Sequence, residues 1–561
     1  MSPQRDAIVI GGGPGGSVCA AALARCGRHV LLLEKASFPR DHVGESLSPS
    51  AWDAVQSLGV SDELRAARFA PKTGATFAWG DDPWPWTVTY PATADQPATY
   101  QVRRGEFDEI LLRAAAAAGA EVRQGWRADE IMYTGERPAG VLCSSSSGQT
   151  EQLTAPWIVD ASGAPGLLNR TLGYDPGPPE LESVAVWGYW SHEGKPSGNG
   201  STSSLLVSRG DTCFWHFPLD DRARLASAGI VVRADGRRGL GKDAAGFYRA
   251  AIDSCDALSS LLSGAVLRGP VEVTDIHAYA SQRMSGPGWF LVGDAACFVD
   301  ALLTPGVQLA VQNGTLAAQA LHTILGQPDM QAQCLSFYDH TCRRDYETFV
   351  QLSHNLYEAA GTAANGSMQI PSVPRPGPES DGQFAFLSLI AGLPKTELAA
   401  RLGSYMALRK QAAAWGGAPV TLGEKEGFAF LSWRFHQARL ARARDERVTS
   451  ELDEDSLVLP AQGAAIGDEA FAPADGTEIL QRRRAASNRL GDRFQATPEL
   501  VTLFAVLDIG CPYGEARRRF CQAMAIPADT GHAAFRDWIG LLADHLLIEW
   551  RPASRGVSCA E

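Results

Sequence analysis

The residues near the start of the chain could bind the phosphates of a dinucleotide. Gly11, Gly13 and Gly16 follow an apolar segment that is predicted to be a strand, and they open an alanine-rich helix. Glycines at this spacing permit a tight turn and let a pyrophosphate approach the N-terminus of the helix. Glu34 ends the next predicted strand, where a carboxylate can accept hydrogen bonds from ribose hydroxyls. The combination predicts a dinucleotide site, whereas the three glycines alone would be a weak signal.

Three later segments distinguish a flavin site from a nicotinamide site. Asp160 ends a second apolar strand, and a third apolar strand runs into Gly293 and Asp294. Gln101 and Arg104 stand just before a predicted helix. Together with the first turn, these segments resemble the FAD superfamily that contains the aromatic hydroxylases and the flavin halogenases. The resemblance covers roughly residues 5 to 350 and implies FAD as the cofactor, with Gln101 and Arg104 facing it.

A longer signature resembles the flavin-dependent halogenases in particular. The segment Phe38–Ser46, with Arg40 and Glu45, looks like the one that follows the ribose-binding strand in that family, and Lys72 then lies where the family has an essential lysine. The resemblance implies that FADH2, O2 and halide give hypohalous acid, which travels through a tunnel to the lysine. The lysine then fixes an electrophilic halogen beside a substrate carbon, and this positioning makes a diffusing oxidant regioselective.

The charge of Lys72 is left open by the sequence. Burial favours the neutral amine, whereas a nearby Glu45 carboxylate favours the ammonium. An ammonium can hydrogen-bond the acid, and a neutral amine can become a haloamine, so both forms suit the reaction. A Lys72 side chain that faces solvent would instead be an ordinary surface lysine.

An aromatic segment matches the family only in part. Trp215 and Pro218 fall where relatives have Trp-x-Trp-x-Ile-Pro, a stretch that is thought to separate the flavin from the substrate. Cys213 and Phe217 are substitutions within that pattern. Bulky apolar side chains could still form the partition, although an aromatic core strand is the alternative interpretation.

A predicted helix start after Asp294 could bind a halide beside the flavin. Thr304, Gly306 and Val307 surround it, and backbone N–H groups at the positive end of a helix attract anions. Relatives that act on free tryptophan have a glutamate at the position of Leu303. Its replacement favours a phenol or pyrrole substrate, because such rings are activated without help from the protein.

These residues require a particular arrangement of elements to bring them together. The expected fold is α/β, with a Rossmann-like FAD-binding domain, an inserted antiparallel sheet for the substrate, as in the aromatic hydroxylases, and a mainly helical C-terminal lobe. Residues 1–360 are predicted to form the catalytic core, 361–382 a linker and 383–561 the helical region. Basic runs at 482–484 and 517–519 could receive an acidic carrier protein.

Composition excludes several classes of partner. The net charge of −13 argues against nucleic acid as a general ligand. The eleven cysteines include no Cys-x-x-Cys pair, so no metal site is predicted. The sequence has no basic-then-apolar leader and no apolar run long enough to span a bilayer, so cytoplasm is the expected location.

The resemblance also implies what the chain works with. FADH2 is expected from a separate flavin reductase, with chloride or bromide as co-substrate and a secondary-metabolite aromatic, free or tethered to a carrier protein, as acceptor. An FAD monooxygenase is the main alternative, since it would differ only at Lys72, the aromatic partition and the halide loop. A polyprenyl-type reductase and a non-enzymatic FAD-binding protein are further alternatives.

Overall fold

The computed structural model describes most of the chain up to residue 362 and parts of the chain beyond residue 456. The described residues are 5–79, 86–89, 99–173, 182–192, 203–209, 212–220, 222, 224–233, 243–301, 304–362, 457–461, 464–471, 479–487, 493–495, 498–507, 511–524, 535, 539, 542 and 547–551. The chain divides into two compact units, of which the first contains the described residues 5–331 and 338–362 and the second 332–337 and 457–551. Within these ranges no helix is both long and apolar enough to cross a membrane.

The helices are, in chain order, α1 Pro14–Arg25, α2 Pro49–Gln56, α3 Ser61–Ala66, α4 Arg104–Ala117, α5 Leu167–Leu172, α6 Ala244–Ser254, α7 Asp256–Leu261, α8 Pro305–Gly326, α9 Gln331–Thr362, α10 Pro498–Val506 and α11 Tyr513–Ala523. The strands of the first unit are β1 Ala7–Ile10, β2 Val30–Glu34, β3 Ala70–Pro71, β4 Gly74–Trp79, β5 Trp86–Thr89, β6 Tyr100–Gln101, β7 Glu121–Gln124, β8 Trp126–Thr134, β9 Arg137–Ser145, β10 Thr150–Thr154, β11 Trp157–Asp160, β12 Glu182–His192, β13 Ser204–Arg209, β14 Thr212–Pro218, β15 Leu225–Arg233, β16 Ala265–His277, β17 Tyr279–Ala280, β18 Ser285–Gly286, β19 Trp289–Leu291 and β20 Cys297–Phe298. Those of the second unit are β21 Leu457–Pro460, β22 Ala465–Phe471, β23 Gln481–Ser487, β24 Arg493–Gln495, β25 Cys511–Pro512 and β26 Ile548–Arg551.

A six-stranded sheet in the order β18-β19-β11-β1-β2-β7 forms the nucleotide-binding half of the first unit. Its neighbours pair in parallel except at the β18–β19 edge. Strands β1 and β2 are buried along their whole length, as expected for apolar runs in a parallel sheet covered on both faces. Helix α1 packs closely on α8, because a Cβ atom at Gly15 would lie 2.7 Å from the carbonyl oxygen of Ala310. The expected Rossmann-like domain is confirmed.

The expected substrate sheet has seven strands in the order β16-β12-β15-β14-β13-β4-β5. All described pairs are antiparallel except the parallel pair of β13 and β4. One face is covered by α6 and α7 through an apolar cluster that includes Phe214, Ile230, Tyr248 and Leu258. Because side chains alternate along a strand, residues next to Phe214 on β14 point to the other face.

Three smaller sheets lie in the described part of the first unit, and one of them is the antiparallel pair of β17 and β20. Strands β8, β9 and β10 form an antiparallel sheet that the sequence analysis does not predict. Strands β3 and β6 pair antiparallel, with Ala70 opposite Gln101, and Ser46 forms an isolated antiparallel bridge to Gln101 on the other side. Three short segments of the chain therefore lie side by side at this point.

The described part of the second unit contains strands as well as helices. The sequence predicts a mainly helical region, and α10 and α11 pack in an apolar core with β21 and β26 residues such as Val458 and Ile548. In the strand register, Asp468 and Glu469 of β22 stand opposite Arg484 and Arg483 of β23. These short strands lack a regular apolar–polar alternation, which is why the sequence does not reveal them. The predicted linker lies outside the described residues, apart from the last two residues of α9.

Candidate functional site

A cavity of about 560 Å³ opens at the carboxyl ends of the parallel strands. The three predicted turns, the β2 carboxylate, the Phe38–Ser46 segment and the start of α8 all line it. Of the residues singled out from the sequence, the lining includes Gly11, Gly13, Gly16, Glu34, Arg40, Glu45, Arg104, Trp215, Gly293, Asp294, Thr304, Gly306 and Val307. It does not include Lys72, Gln101, Asp160 or Pro218.

The first glycine turn has the geometry that its sequence predicts. Gly11 has a φ of +103°, which favours glycine, and a Cβ atom at Gly16 would overlap the carbonyl oxygen of Gly11. At Gly13 a Cβ atom would meet only the Arg40 guanidinium, at 3.5 Å, so the backbone is open towards the cavity. The Glu34 carboxylate accepts from the backbone N–H groups of Gly12 at 2.6 Å and Ala36 at 2.7 Å, which fixes it beside the turn.

Arg104 organises one wall of the cavity. Its Nε and Nη2 atoms donate to the two carboxylate oxygens of Asp108 at 2.8 and 2.9 Å, one helical turn further along α4. Its Nη1 atom donates to the carbonyl oxygen of Val43 at 2.6 Å, so a buried guanidinium ties the Phe38–Ser46 segment to the helix. Burial raises the pKa of Asp294 to about 6, and the positive charge of Arg104 opposes that rise.

The start of α8 brings backbone N–H groups to the same cavity. Thr304, at the N-cap, has a φ of +53°, which is unusual for a residue with a side chain. The lining includes Thr304, Gly306 and Val307, as the halide prediction requires, and Pro305 contributes no N–H. Leu303, the expected position of a glutamate in some relatives, lies outside the described residues.

Of the segment predicted to form an aromatic partition, Trp215 and Phe217 reach the cavity. They are two positions apart on β14 and so share a face, their rings stack with centroids 6.2 Å apart, and both line the cavity. Gly229 stands opposite Trp215 on β15, where a Cβ atom would overlap the indole ring. Pro218 is on the other face of the strand and does not reach the cavity lining. Phe217, which the sequence offers only as a substitution, therefore takes the place expected of Pro218.

Asp160 supports the second turn from behind. Its carboxylate accepts from the backbone N–H of Ser162 at 3.0 Å and of Leu168 at 2.7 Å, and it is fully buried. The cavity lining begins at the next residue, Ala161. Asp160 thus holds the turn that lines the site, whereas the sequence suggests direct contact with the cofactor.

Gln101 also differs from its expected place. It is fully buried, its Nε2 atom donates to Ser204 Oγ at 2.6 Å, and it lies on β6 beside β3 and the Ser46 bridge. The sequence places it with the cofactor because it stands just before Arg104. Strand geometry separates the two residues, since β6 ends at Gln101 and α4 begins at Arg104.

Glu45 is buried at the wall of the cavity and has a tyrosine partner. Tyr189, on β12, donates its hydroxyl to Glu45 Oε1 at 2.9 Å, and the backbone N–H of Gly44 donates to Oε2 at 3.1 Å. Burial raises the pKa of Glu45, while these two donors and the positive charge of Arg104 lower it. Tyr189 has no signal in the sequence, because nothing marks which residue of β12 faces this carboxylate.

Lys72 is buried, with 3% of its surface exposed. Its backbone N–H donates to the carbonyl oxygen of Thr99 at 2.9 Å, and its Nζ atom donates to the carbonyl oxygen of Leu47 at 3.0 Å. Burial lowers the pKa of Lys72 to about 7. The surface-lysine interpretation is therefore wrong, and burial, one of the two opposing effects expected from the sequence, is the cause of the shift.

Some residues of the cavity have no counterpart in the sequence analysis. Trp126 and Arg127 come from β8, Arg170 comes from α5, and all three line the cavity. Basic side chains there, with Arg40, suit a ligand that carries phosphates. The sequence gives no sign of this role, because it depends on how the unpredicted β8–β10 sheet packs.

The residues present fit FAD. The open backbone at Gly13, the α1 N-terminus and the basic side chains suit a pyrophosphate. The buried Nη1 atom of Arg40 is 3.4 Å from Asp108 and has no hydrogen-bond acceptor among the described residues, so it can serve a bound phosphate. Glu34 is placed for a ribose, and Asp294 for hydroxyl groups further along the cofactor.

The family model, the curated relatives and the solved structures that are similar to this chain agree with one another. The model of the FAD binding domain matches residues 4–353. A tryptophan 2-halogenase from Chondromyces crocatus is 32% identical over 63% of this chain and 67% of its own length. A 1H-pyrrole-2-carbonyl-(peptidyl-carrier protein) chlorinase from Pseudomonas fluorescens is 25% identical over 63% of this chain and 84% of its own. The solved structure of the myxobacterial chondrochloren halogenase is 31% identical, with a TM-score of 0.59, over 70% of this chain and 90% of that one.

Replacing Lys72 by methionine should change how stability depends on pH. The pKa of Lys72 is about 7 in the folded protein and 10.5 is its ordinary value, so between these pH values the unfolded chain holds a proton that the folded chain does not. Lowering the pH from 10 to 7 therefore destabilises the wild type, by up to roughly 1.4 kcal/mol per pH unit. We expect the stability of Lys72→Met relative to wild type to rise over this interval and to stay constant below pH 7.

Urea denaturation of the flavin-free protein at pH 7, 8, 9 and 10 measures this trend. Lys35→Met is the matched control, because Lys35 is an exposed lysine of the same unit, and its stability relative to wild type should not depend on pH. A parallel pH dependence of Lys72→Met and wild type would contradict the burial of the amine.

Proposed function

The chain belongs to the flavin-dependent halogenases, within the FAD-binding family, and acts as an FAD-dependent halogenating oxidoreductase on an aromatic compound. From this premise we propose that Lys72 delivers the halogen to an electron-rich ring of the phenol or pyrrole type. The observation that carries the proposal is the buried amine of Lys72, with a pKa of about 7, directly after strand β3. Strand β3 pairs with β6, and Gln101 of β6 also bridges Ser46, the neighbour of the cavity residue Glu45. Such an amine has a large neutral, nucleophilic fraction at physiological pH.

Reduced FAD, when bound, supplies the oxygen chemistry that converts halide into hypohalous acid. The N–H groups of Gly306 and Val307 at the start of α8 are the proposed halide donors, because they line the cavity and a helix N-terminus attracts anions. Trp215 and Phe217 keep the aromatic substrate away from the flavin. Hypohalous acid is small enough to pass where an aromatic ring is excluded.

The neutral Lys72 amine attacks the halogen of the acid. An N–halogen bond forms as the O–halogen bond breaks, and water leaves with the oxygen and one amine proton. The Leu47 carbonyl oxygen fixes the position of Nζ, at 3.0 Å, so the electrophilic halogen is presented from a defined point. Glu45, the second proposed catalytic residue, holds or releases a proton at the cavity wall, where Tyr189 and Arg104 favour its ionised form.

The proposed partners are a separate flavin reductase and an aromatic that is either free or carried as a thioester. A carrier-bound substrate has support in the pyrrole chlorinase, whose printed name includes a peptidyl-carrier protein. The tryptophan 2-halogenase is also similar to this chain, so free tryptophan belongs in the same test.

A reconstituted assay distinguishes these substrates. The assay contains purified protein, a flavin reductase, NADH, FAD, O2 and chloride or bromide. The candidate substrates are a simple phenol, tryptophan, and pyrrole-2-carboxylate both free and as a carrier-protein thioester. Mass spectrometry identifies the products. We expect halogen on the phenol or pyrrole and none on tryptophan. Products that gain oxygen and never halogen would refute the proposal.

Lys72→Met should uncouple the two halves of the reaction. The methionine retains the volume of the side chain and removes the amine, so flavin binding and reoxidation should stay within about twofold of wild type while ring halogenation falls roughly 100-fold or more. Stopped-flow absorbance follows the flavin, and mass spectrometry follows the product. Retained ring halogenation in this variant would mean that the lysine has been misassigned.

Tyr189→Phe should shift the pH profile of kcat/KM for halogenation. Removing the hydroxyl takes away a donor that favours ionised Glu45, so the pKa of Glu45 rises and the acidic limb moves to higher pH. Tyr248→Phe is the matched control, since it removes a buried tyrosine hydroxyl that donates to the Ala228 carbonyl oxygen in the apolar cluster of the same sheet. An unmoved acidic limb in Tyr189→Phe would remove Glu45 from the reaction.

A further inference from the structure

The segments 45–48, 99–102 and 70–72 lie side by side as a small sheet. Gln101 is opposite Ala70 on one side and opposite Ser46 on the other. The pairing continues on both flanks of the central segment, because Leu47 N–H donates to the carbonyl oxygen of Tyr100 at 3.1 Å and Lys72 N–H to that of Thr99 at 2.9 Å.

One face of this sheet is polar and buried. Directly opposed residues share a face, and so do residues two apart along a strand. By that rule Ser46, Ser48, Thr99, Gln101 and Lys72 all lie on the same face, which we call the polar face. Each of the five is between 0% and 3% exposed.

Hydrogen bonds within the polar face account for only part of its polar atoms. Lys72 Nζ reaches across the central segment to the Leu47 carbonyl oxygen at 3.0 Å, and Thr99 Oγ1 donates to the Ser48 carbonyl oxygen at 3.2 Å. Ser46 Oγ and Gln101 Oε1, by contrast, are buried and have no hydrogen-bond partner among the described residues. Buried polar atoms are nearly always paired, so two such atoms on one face indicate a ligand.

The side-chain amide of Gln101 is held in a fixed orientation by its nitrogen, and its Oε1 atom has no hydrogen-bond donor among the described residues. Its Nε2 atom donates to Ser204 Oγ at 2.6 Å, from β13 of the substrate sheet. This bond directs the amide, and Oε1 then presents an acceptor that the described part of the protein does not use. The flavin is not the partner, because neither Gln101 nor Ser46 lines the flavin cavity.

We propose that the polar face is a binding site for hypohalous acid, in which Gln101 Oε1 accepts the O–H of the acid and Ser46 Oγ donates to its oxygen. The halogen end of the acid is then left towards the Lys72 amine, which is the geometry that the transfer needs. A small neutral ligand with one donor and one acceptor matches the two atoms, whereas a halide ion would find no use for Gln101 Oε1. This inference rests on the proposed delivery of halogen by Lys72.

The experiment measures how fast the oxidant escapes from the protein without an aromatic substrate. Pre-reduced FAD, O2 and bromide are mixed with each variant and a soluble 1,3-diketone scavenger, and scavenger bromination is compared with flavin reoxidation in a single turnover. Ser46→Ala and Gln101→Met should release oxidant about fivefold faster than wild type, the effect of one lost neutral hydrogen bond. Flavin affinity and reoxidation rate should be unchanged. Ser353→Ala, a fully buried serine of α9 whose hydroxyl also has no partner in the described structure, is the matched control.

The outcomes separate this inference from the proposed function. Release at the wild-type rate in both Ser46→Ala and Gln101→Met, or weakened flavin binding in Gln101→Met, would overturn the oxidant site. Unchanged release in Lys72→Met would instead overturn the role of the lysine. A failure of wild type and of every variant to brominate the scavenger, together with no halogenated product in the reconstituted assay, would overturn halogenation itself, before the polar face is considered.

Discussion

The burial of a single amine is the constraint on which the arrangement depends. A charged ammonium with 3% of its surface exposed would be costly, so the protein lowers the pKa of Lys72 to about 7 and gives Nζ the Leu47 carbonyl oxygen. A neutral amine can act as a nucleophile and still donate that hydrogen bond. Loss of solvation thus provides the reactivity, and one hydrogen bond provides the position.

The same chain segment serves the flavin cavity and the lysine. Glu45 lines the cavity, Ser46 and Ser48 belong to the polar face, and Leu47 accepts from Nζ. Arg104, held by both oxygens of Asp108, ties the start of this segment to α4 through the Val43 carbonyl oxygen. The two places are therefore positioned by the same chain segment, which in the proposed reaction lets an oxidant made at one arrive reproducibly at the other.

The sequence predicts the nucleotide-binding half of the site well because glycine and turn geometry are local properties. Gly11, Gly16 and Gly293 are needed where a side chain would collide or where φ is positive, so their spacing alone locates the turns. The faces of strands are harder to predict. Pro218 is one residue beyond the cavity residue Phe217, and Gln101 lies on a strand that does not line the cavity. A shift of one position along a strand reverses the direction of a side chain. Asp160 is misleading for another reason, since backbone N–H groups use both of its oxygens.

What sequence could not settle was the competition over the charge of Lys72, and the positions of the acidic and basic groups decide it. Burial raises the pKa of Glu45, and the donors Tyr189 and Gly44 and the positive charge of Arg104 oppose that rise at the cavity wall. Glu45 therefore has partners other than Lys72, and burial is the cause of the lowered pKa of Lys72. An ammonium paired with Glu45 would be a poor nucleophile. Arg104 and Tyr189 interact with Glu45, whereas Lys72 has a neutral carbonyl as its partner. This separation keeps the amine reactive in the interior of the protein.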